Sequence, residues 1–361
     1  MSASPPAGLG PNHATPVFFP AGVAGPEKRV GYVADGSAGI EALDLSTGES
    51  IWRSDAAARP AIVAEHRLLA VHPVPDVANG LRVVVLDRND RGKLLLESEP
   101  IRFPEWVSVQ GAISDDFRYE ARIEGTRLLL DWDAQARYRG GAAPPPSVQS
   151  QATKAAHGRV SVDVETGAVE MRPIERPGAP ELPSALEQAD LFSYQIGASD
   201  TWQTRPWLVN GRVAVITGEV SDAGQVLRLQ RWNPSSGRVD PPVHLLDGEA
   251  LVSYVTPDGC YLLVHRELPT ESAPNVRDTW WLFSVVTGER VAVLEHEPGA
   301  REACVLGTRL HYLIELPPPP LRGGGELVES TVKTVDIGSG TLLWQHPLSP
   351  RRTRSRPALR Q

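Results

Sequence analysis

Residues 41–52 read Glu-Ala-Leu-Asp-Leu-Ser-Thr-Gly-Glu-Ser-Ile-Trp and have the form of two short strands joined by a tight turn. Apolar and polar residues alternate up to Asp44, as they do in a strand with one buried face. The Ser-Thr-Gly that follows predicts the turn, because glycine adopts the positive φ that such turns often need. Ile51 and Trp52 then begin a second strand. The segment therefore predicts an antiparallel strand–turn–strand unit.

The same unit recurs along the chain. Residues 85–96 keep the aspartate and the turn glycine, residues 162–169 keep Asp-x-x-Thr-Gly, and residues 334–344 nearly repeat the first copy. Residues 231–239 replace the aspartate with asparagine, and residues 283–291 keep only Thr-Gly. A strand pair repeated at this period is typical of β-propeller blades. The sequence predicts an all-β fold, a single β-propeller of four-stranded antiparallel blades, with six blades counted.

The repeat resembles that of the pyrroloquinoline-quinone (PQQ)-type β-propellers, whose consensus is Ala-x-Asp-x-x-Thr-Gly-x-x-x-Trp. The first copy matches all the consensus positions, with Ala42, Asp44, Thr47, Gly48 and Trp52. The last copy matches at Asp336, Gly340 and Trp344. The family includes quinone-dependent dehydrogenases, an outer-membrane assembly lipoprotein and many non-catalytic propellers. The resemblance therefore implies the fold, and it leaves the function open.

Three segments are predicted from the distribution of repeats. Residues 1–25, rich in Pro, Gly and Ala, are expected to be mobile, although residues 17–19 could add an inner strand to the first blade. Residues 26–348 form the propeller, and residues 349–361 form an Arg-rich C-terminal tail. Residues 106–113 and 117–124 could both be strands of the third blade. A second degenerate blade in that region would make seven blades.

Long connections are concentrated at particular places in the blades, whose strands are labelled A (inner) to D (outer). The B–C loops at residues 73–80, 139–158, 268–278 and 315–326 are long, as is the D–A connection at residues 173–205. In a four-stranded meander these two kinds of connection leave the same face. Insertions in repeat proteins tend to lie on the binding face. We expect this face to meet a partner; the alternative is that these insertions are mere sequence drift in solvent-exposed loops.

Two of these loops are rich in proline, which favours extended polyproline II segments. They are either ligands for an aromatic groove on another protein or flexible spacers. The predicted partner-binding positions are Pro144, Pro145, Pro146, Trp202, Pro318, Pro319 and Arg322. Trp106, Trp202 and Trp207 could alternatively form a sugar-binding platform. A Ser-x-x-Glu capping box at Ser184 predicts a short helix over residues 185–192.

The C-terminal tail carries a run of arginines that includes Arg351, Arg352, Arg354 and Arg356. Such a tail is solvated, binds an acidic protein surface, or binds nucleic acid through phosphate contacts. No aromatic residue is interleaved to stack on bases. The whole chain has a net charge of −8, which does not suggest a nucleic-acid-binding surface. Nucleic acid is therefore an unlikely partner.

Composition points to a cytoplasmic, bacterial protein without membrane insertion. The N-terminal residues lack the basic and apolar segments of a signal peptide, and no apolar run is long enough to span a bilayer. Only 2 cysteines occur, which suits a reducing compartment. Arginine greatly outnumbers lysine, which hints at a high-GC bacterial gene.

The motifs of several enzyme classes are absent from the sequence. A quinone-dependent dehydrogenase would need an export signal, calcium ligands and usually a vicinal cysteine pair, whereas Cys260 and Cys304 lie far apart. We therefore expect neither PQQ nor another cofactor. There is no Gly-x-Ser-x-Gly, His-x-His or Cys-x-x-Cys motif. No catalytic, cofactor or metal residue is predicted.

The sequence favours a non-catalytic scaffold or recognition subunit of a larger bacterial complex, which binds another protein through the face of the long loops. Two alternatives stay open. One is a hydrolase or lyase with its site at the central channel, and the other is a propeller that binds a glycan or small ligand.

Overall fold

The computed structural model describes residues 16–36, 39–107, 109, 117–135, 155–173, 201–203, 206–221, 224–248, 251–266, 278–296, 300–316 and 327–352. All regular secondary structure in these ranges is β, and the strands form six antiparallel sheets that follow one another along the chain. Each sheet is made from consecutive segments, as the blades of a propeller are. The fold is a multi-blade β-propeller, which confirms the predicted fold class.

The first three sheets belong to one compact unit of the chain, which consists of Met1–Arg176, Pro318–Val328 and Leu348–Gln361. The first sheet has the order β1 (Val17–Phe19), β2 (Gly22–Ala24), β3 (Val30–Asp35), β4 (Gly39–Asp44) and β5 (Ser50–Ser54). The second contains β6 (Arg59–Ala64), β7 (Arg67–Pro73), β8 (Gly80–Asp87), β9 (Lys93–Glu97) and β10 (Ile101–Arg102). The third contains β11 (Phe117–Glu124), β12 (Arg127–Gln135), β13 (Ala155–Asp163) and β14 (Val169–Arg172).

The other compact unit consists of Pro177–Pro317 and Glu329–Pro347. The fourth sheet contains β15 (Thr201–Gln203), β16 (Trp207–Val209), β17 (Arg212–Ser221), β18 (Gly224–Trp232) and β19 (Val243–Gly248). The fifth contains β20 (Leu251–Val255), β21 (Tyr261–Arg266), β22 (Asp278–Ser284) and β23 (Arg290–His296). The sixth contains β24 (Ala300–Leu306), β25 (Arg309–Leu316), β26 (Leu327–Asp336) and β27 (Leu342–Arg352), and the ends of its last two strands fall in the first unit.

Three sheets depart from the predicted four strands. β1 adds a strand to the first sheet beside β2. In the second sheet, β9 and β10 both pair with β8, so the outer strand is broken in two. In the fourth sheet, β15 and β16 both pair with β17, so the inner strand is broken as well.

The predicted segment boundaries also need correction. The segment expected to be mobile through residue 25 contains β1 and β2, because Val17–Phe19 and Gly22–Ala24 close a hairpin on β3. The predicted tail from residue 349 starts too early, since β27 runs to Arg352. Trp106 and Val107 were expected in a strand and lie in a turn and a coil.

The repeated turn between the C and D strands explains why the blades stack. In the first copy, Gly48 has a φ of 76° and its N–H donates to Asp44 O at 2.7 Å. The equivalent Gly92 lies directly against the preceding blade, since a Cβ there would come within 2.5 Å of the Trp52 ring. Ser54 Oγ also donates to Gly92 O at 3.0 Å. The turn glycine therefore provides both a positive φ and room for the neighbouring blade.

Apolar side chains fill the space between neighbouring sheets within each unit. Trp52 and Tyr32 of the first sheet pack with Leu68 and Val84 of the second. In the other unit, Trp280 packs with Tyr312 between the fifth and sixth sheets, with ring centroids 5.6 Å apart. Trp52 and Trp280 therefore pack between neighbouring blades.

Candidate interaction surface

Most of the predicted partner-binding positions lie outside the described residues. These positions are Pro144, Pro145, Pro146, Pro318, Pro319, Arg322, Arg354 and Arg356, together with the predicted helix at 185–192. Trp202 lies in β15, inside the segment that was expected to be one long D–A loop. Arg351 and Arg352 are the last residues of β27, so they belong to a strand rather than to a tail.

One loop of the predicted face, residues 73–80 of the second blade, lies wholly within the described residues. This B–C loop between β7 and β8, together with residues 98–107 and 109, which follow β9, is what we call the loop platform. Phe103 N donates to Asn79 O at 3.0 Å, and Val109 N donates to Ala78 O at 2.8 Å. Asn79 Nδ2 donates in turn to Phe103 O. These bonds join a B–C loop and a D–A connection into one layer.

The loop platform rests on an aromatic cluster. Phe103 is buried and its ring meets Phe117 edge-on at 4.8 Å and Trp132 edge-on at 5.1 Å between centroids. Such edge-to-face pairs contribute roughly 0.5–1.5 kcal/mol beyond the burial of their area. Val107 is buried beside them in the core between the second and third sheets, and Val74 of the B–C loop is buried as well. The platform is thus fixed by this buried cluster as well as by the hydrogen bonds between its two loops.

The outward side of the loop platform presents a mixed set of groups. Pro75, Asp76 and Glu105 are exposed, and Trp106 is half-buried against the same core. Asp76 has a φ of 60°, in the left-handed region that aspartate tolerates better than most residues. An ordered loop surface with a partly exposed tryptophan is the kind of surface that protein interfaces use.

The end of β27 meets the first blade at the point where its B–C loop begins. Ser349 N and Ser349 Oγ both donate to the carboxylate of Asp35, the hydroxyl at 2.9 Å. Asp35 is buried, and Arg53 pairs with the equally buried Glu41 at 3.0 Å nearby. A Cβ on Gly36 would come within 2.4 Å of Ser349 O, which shows how closely the two segments approach.

The third blade carries a charged row on the face turned away from the second blade. Asp131 of β12 accepts hydrogen bonds from Arg159 Nε at 2.6 Å and from Arg122 Nη1. Burial by itself would raise the pKa of Asp131, but the hydrogen bonds from Arg159 and Arg122 lower it overall. Both positive partners lie on the neighbouring strands β13 and β11. The row therefore stabilises the blade's own sheet.

The described carboxyl groups with a resolved pKa shift are all held in their charged form. Hydrogen bonds from Ser46 lower the pKa of Asp44, and those from Ser339 lower the pKa of Asp336. Asp163 is capped in the same way by Thr166. These three aspartates cap the C–D turns of the first, third and sixth blades. Within the described ranges, no group of three or more His, Cys, Asp or Glu residues is placed to hold a metal ion.

The tryptophans considered for a sugar-binding platform have different surroundings. Trp207 Nε1 donates to Gly259 O at 3.2 Å, so this indole joins the fourth blade to a turn of the fifth. Trp106 lies in the loop platform of the other unit. The structure thus gives Trp207 a packing role.

Sequence reasoning missed the residues that build the loop platform. Asn79 and Phe103 were not singled out, because their pairing joins segments 24 residues apart and has no local signature. A weak signal was present in Gly80, which follows Asn79 and ends the loop. The broken outer strand left no period-2 pattern to mark β10, which has only 2 residues.

No protein-family model and no curated protein matches the chain. Among solved structures, it is similar to apo AztD from Citrobacter koseri, at 10% identity over 89% of this chain and 96% of that one, with a TM-score of 0.36. It is also similar to KlHsv2 with its loop 6CD replaced by a Gly-Ser linker, at 11% identity over 94% and 99% of the two chains, with a TM-score of 0.34.

A third similarity is to the acylaminoacyl peptidase of Pyrococcus horikoshii, at 12% identity and a TM-score of 0.28. It involves 42% of this chain, which spans only 25% of the peptidase. The assignment to the β-propeller fold rests on the six sheets described above. In the described part of the chain, no helix is long and apolar enough to cross a lipid bilayer.

Proposed function

We propose that this chain is a non-catalytic β-propeller that binds another protein through its loop face, as a scaffold or recognition subunit of a larger complex. The observation that carries the proposal is the loop platform, in which two connections of the predicted binding face are hydrogen-bonded into one ordered surface. Trp106 is half-buried at that surface and is its proposed anchor.

An ordered surface binds more tightly than a mobile one of the same composition, because less conformational entropy is lost on association. The bonds between Asn79 and Phe103 fix the platform before a partner arrives. Tryptophans at such positions commonly contribute a large share of the binding free energy. Asp76 and Glu105 are exposed carboxylates of the same platform, and they favour a partner with basic groups at the edge of its contact.

Three further parts of the proposal rest on sequence features. Asp44 caps the first C–D turn, and Trp52 packs against the next blade. Both features favour membership of the PQQ-type repeat family, in its non-catalytic branch. The two free cysteines favour the cytoplasm. The preference for arginine favours a bacterial source.

Site-specific photo-crosslinking in the native host tests this proposal. A photoreactive amino acid replaces Asp76 or Glu105 on the loop platform, and, as matched controls, Glu49 or Val286 on C–D turns. We expect one discrete crosslinked protein from the platform positions and none from the turn positions. A Trp106→Ala substitution should lower that crosslink at least tenfold, since hot-spot truncations cost about 2 kcal/mol or more.

The thermal unfolding midpoint of each variant is measured in parallel, so that loss of crosslinking is separated from loss of folding. The proposal fails if the platform positions crosslink to nothing, or if the turn positions capture the same protein as efficiently.

A further inference from the structure

The last residues of β27 lie against the loop face of the first blade. Ser349 donates to the buried carboxylate of Asp35, and a Cβ on Gly36 would come within 2.4 Å of Ser349 O and 3.3 Å of Pro350 O. Gly36 directly follows β3 and begins the B–C loop of this blade. Because B–C loops leave a blade on its loop face, the residues that follow β27 in the sequence start from that face.

The loop platform is within reach of those residues. It belongs to the second blade, whose sheet packs directly against that of the first through Tyr32, Trp52 and Leu68. Packed sheets lie about 10 Å apart. A chain segment spans up to about 3.3 Å per residue, so Pro350 and Arg356 are up to about 20 Å apart when the segment between them is extended. The arginines that follow β27 are therefore close enough to reach the neighbouring blade.

Charge favours contact between the two parts of the chain. The loop platform has exposed carboxylates at Asp76, Glu99 and Glu105 and an exposed guanidinium at Arg102, so its net charge is negative. Residues 353–361, which we call the arginine segment, contain arginines and no acidic residue. The segment is therefore positive, and the two charges attract each other across the distance between neighbouring blades.

Arginine suits both kinds of group that the loop platform presents. Its planar guanidinium forms paired hydrogen bonds with a carboxylate and also stacks on the face of an aromatic ring. Trp106 is half-buried beside Glu105 in the sequence. The carboxylates of Asp35 and Glu41 lie nearer to β27, but both are buried and already accept hydrogen bonds. The loop platform is thus the better acceptor for the arginine segment.

We infer that Arg354 and Arg356 dock on the loop platform of their own chain, where they pair with Asp76 and Glu105 and one guanidinium stacks on Trp106. The docked arginine segment covers the surface that the proposed partner uses, so the partner has to displace it. A partner with basic groups competes for the same carboxylates. This autoinhibition rests on the proposed function, whereas the docking itself does not.

Intramolecular photo-crosslinking of the purified full chain tests the docking. A photoreactive amino acid replaces Ala78, an exposed residue of the loop platform, and in a control chain it replaces Glu49 on a C–D turn. The chains are illuminated at about 1 μM, where weak self-association is negligible. The monomeric product is cleaved at acidic residues and its crosslinked peptides are identified by mass spectrometry. We expect position 78 to link to the arginine segment and position 49 not to.

Three changes should each lower the yield of this crosslink at least threefold. Arg354→Gln with Arg356→Gln removes the positive charges, and Asp76→Asn with Glu105→Gln removes the negative ones. Asparagine tolerates the positive φ of residue 76. The third change needs no substitution: raising NaCl from about 0.1 M to about 1 M shortens the Debye length from about 10 Å to about 3 Å.

The matched control is Glu49→Gln with Asp90→Asn, which removes two exposed carboxylates from C–D turns and should leave the yield unaltered. The thermal unfolding midpoint of every variant is measured in parallel and should stay within a few degrees of wild type. Absence of any crosslink between position 78 and the arginine segment overturns the inference. So does a yield that is insensitive to the arginine substitutions, or one that the control lowers equally.

The autoinhibition is measured separately, in the native host, with the photoreactive amino acid at Ala78. Arg354→Gln with Arg356→Gln should raise the crosslink to the partner at least threefold, because the partner then meets no competitor. Capture of the partner at an unchanged yield overturns the autoinhibition. If no platform position captures a partner, the proposed function fails, and the purified chain still decides whether the arginines dock.

Discussion

At the scale of single residues, His311 is a strongly perturbed titratable group, which lies on β25 and is 1% exposed. Its Nδ1 is 2.7 Å from Thr334 Oγ1 on the next strand, and its ring is 5.9 Å from that of Trp344. Burial lowers the pKa of His311 to about 3, with a smaller contribution from Arg309. The folded chain therefore holds this imidazole neutral at neutral pH.

A histidine with a lowered pKa in the folded state makes stability depend on pH in a fixed direction. Above an unfolded pKa of about 6.5 its contribution is fully present, and it is lost as the pH falls toward the folded value, because the unfolded chain binds the proton more readily. Between pH 7 and pH 5 we expect wild type to lose about 2 kcal/mol of unfolding free energy more than His311→Gln does. Urea unfolding of both chains at the two pH values measures this difference. Parallel pH profiles would contradict it.

At the scale of elements, the C–D turn with its glycine is the part of the fold most completely predicted from sequence. Gly92→Ala combines two costs, a positive φ of 70° and a Cβ that would lie 2.5 Å from the Trp52 ring. Gly125 is the matched control, since its φ is 59° and nothing lies within 4 Å of a Cβ there. We expect Gly92→Ala to lower the unfolding free energy by about 3 kcal/mol and Gly125→Ala by about 1 kcal/mol. Equal losses in urea titrations would show that contact with the preceding blade is unimportant.

The elements that sequence did not predict are those without a periodic pattern of their own. β2 and β15 have 3 residues each and β10 has 2, too few for an alternation to be recognised. They form because a longer strand offers them a free edge: β3, β17 and β8 respectively. The Asn210–Gly211 hairpin was predictable for the opposite reason, since Asn210 at φ 48° and Gly211 at φ 73° give the local turn that those two residues favour.

The sequence predicted which face of the blades carries the candidate site, but it did not predict the residues that form it. Topology alone places B–C and D–A connections at one end of each blade, which is how residues 73–80 came to be expected there. The hydrogen bonds from Phe103 and Asn79 depend on tertiary contact between two loops, and no spacing in the sequence encodes them. The same holds for Asp35 and Ser349, which are 314 positions apart.

At the scale of the whole molecule, the contact between Asp35 and Ser349 shows that the first compact unit is built from both ends of the described chain. Residues from Leu348 onward belong to it, although most of β27 lies in the other unit. The carboxylate of Asp35, which is 3% exposed, accepts from both the N–H and the hydroxyl of Ser349. A buried carboxylate is costly unless it is hydrogen-bonded. The stability of the first blade therefore depends on its contact with the end of β27.

A double-mutant cycle on this pair follows from the geometry. Ser349→Ala removes only the hydroxyl bond, and we expect it to cost about 1 kcal/mol of unfolding free energy. Asp35→Ala also leaves the Ser349 N–H without its acceptor and should cost about 3 kcal/mol. Because the hydroxyl then has no carboxylate to donate to, Ser349→Ala should cost almost nothing in the Asp35→Ala background. Urea unfolding of the four chains gives the coupling free energy. A strictly additive cycle would mean that the two ends of the sequence fold without depending on each other at this contact.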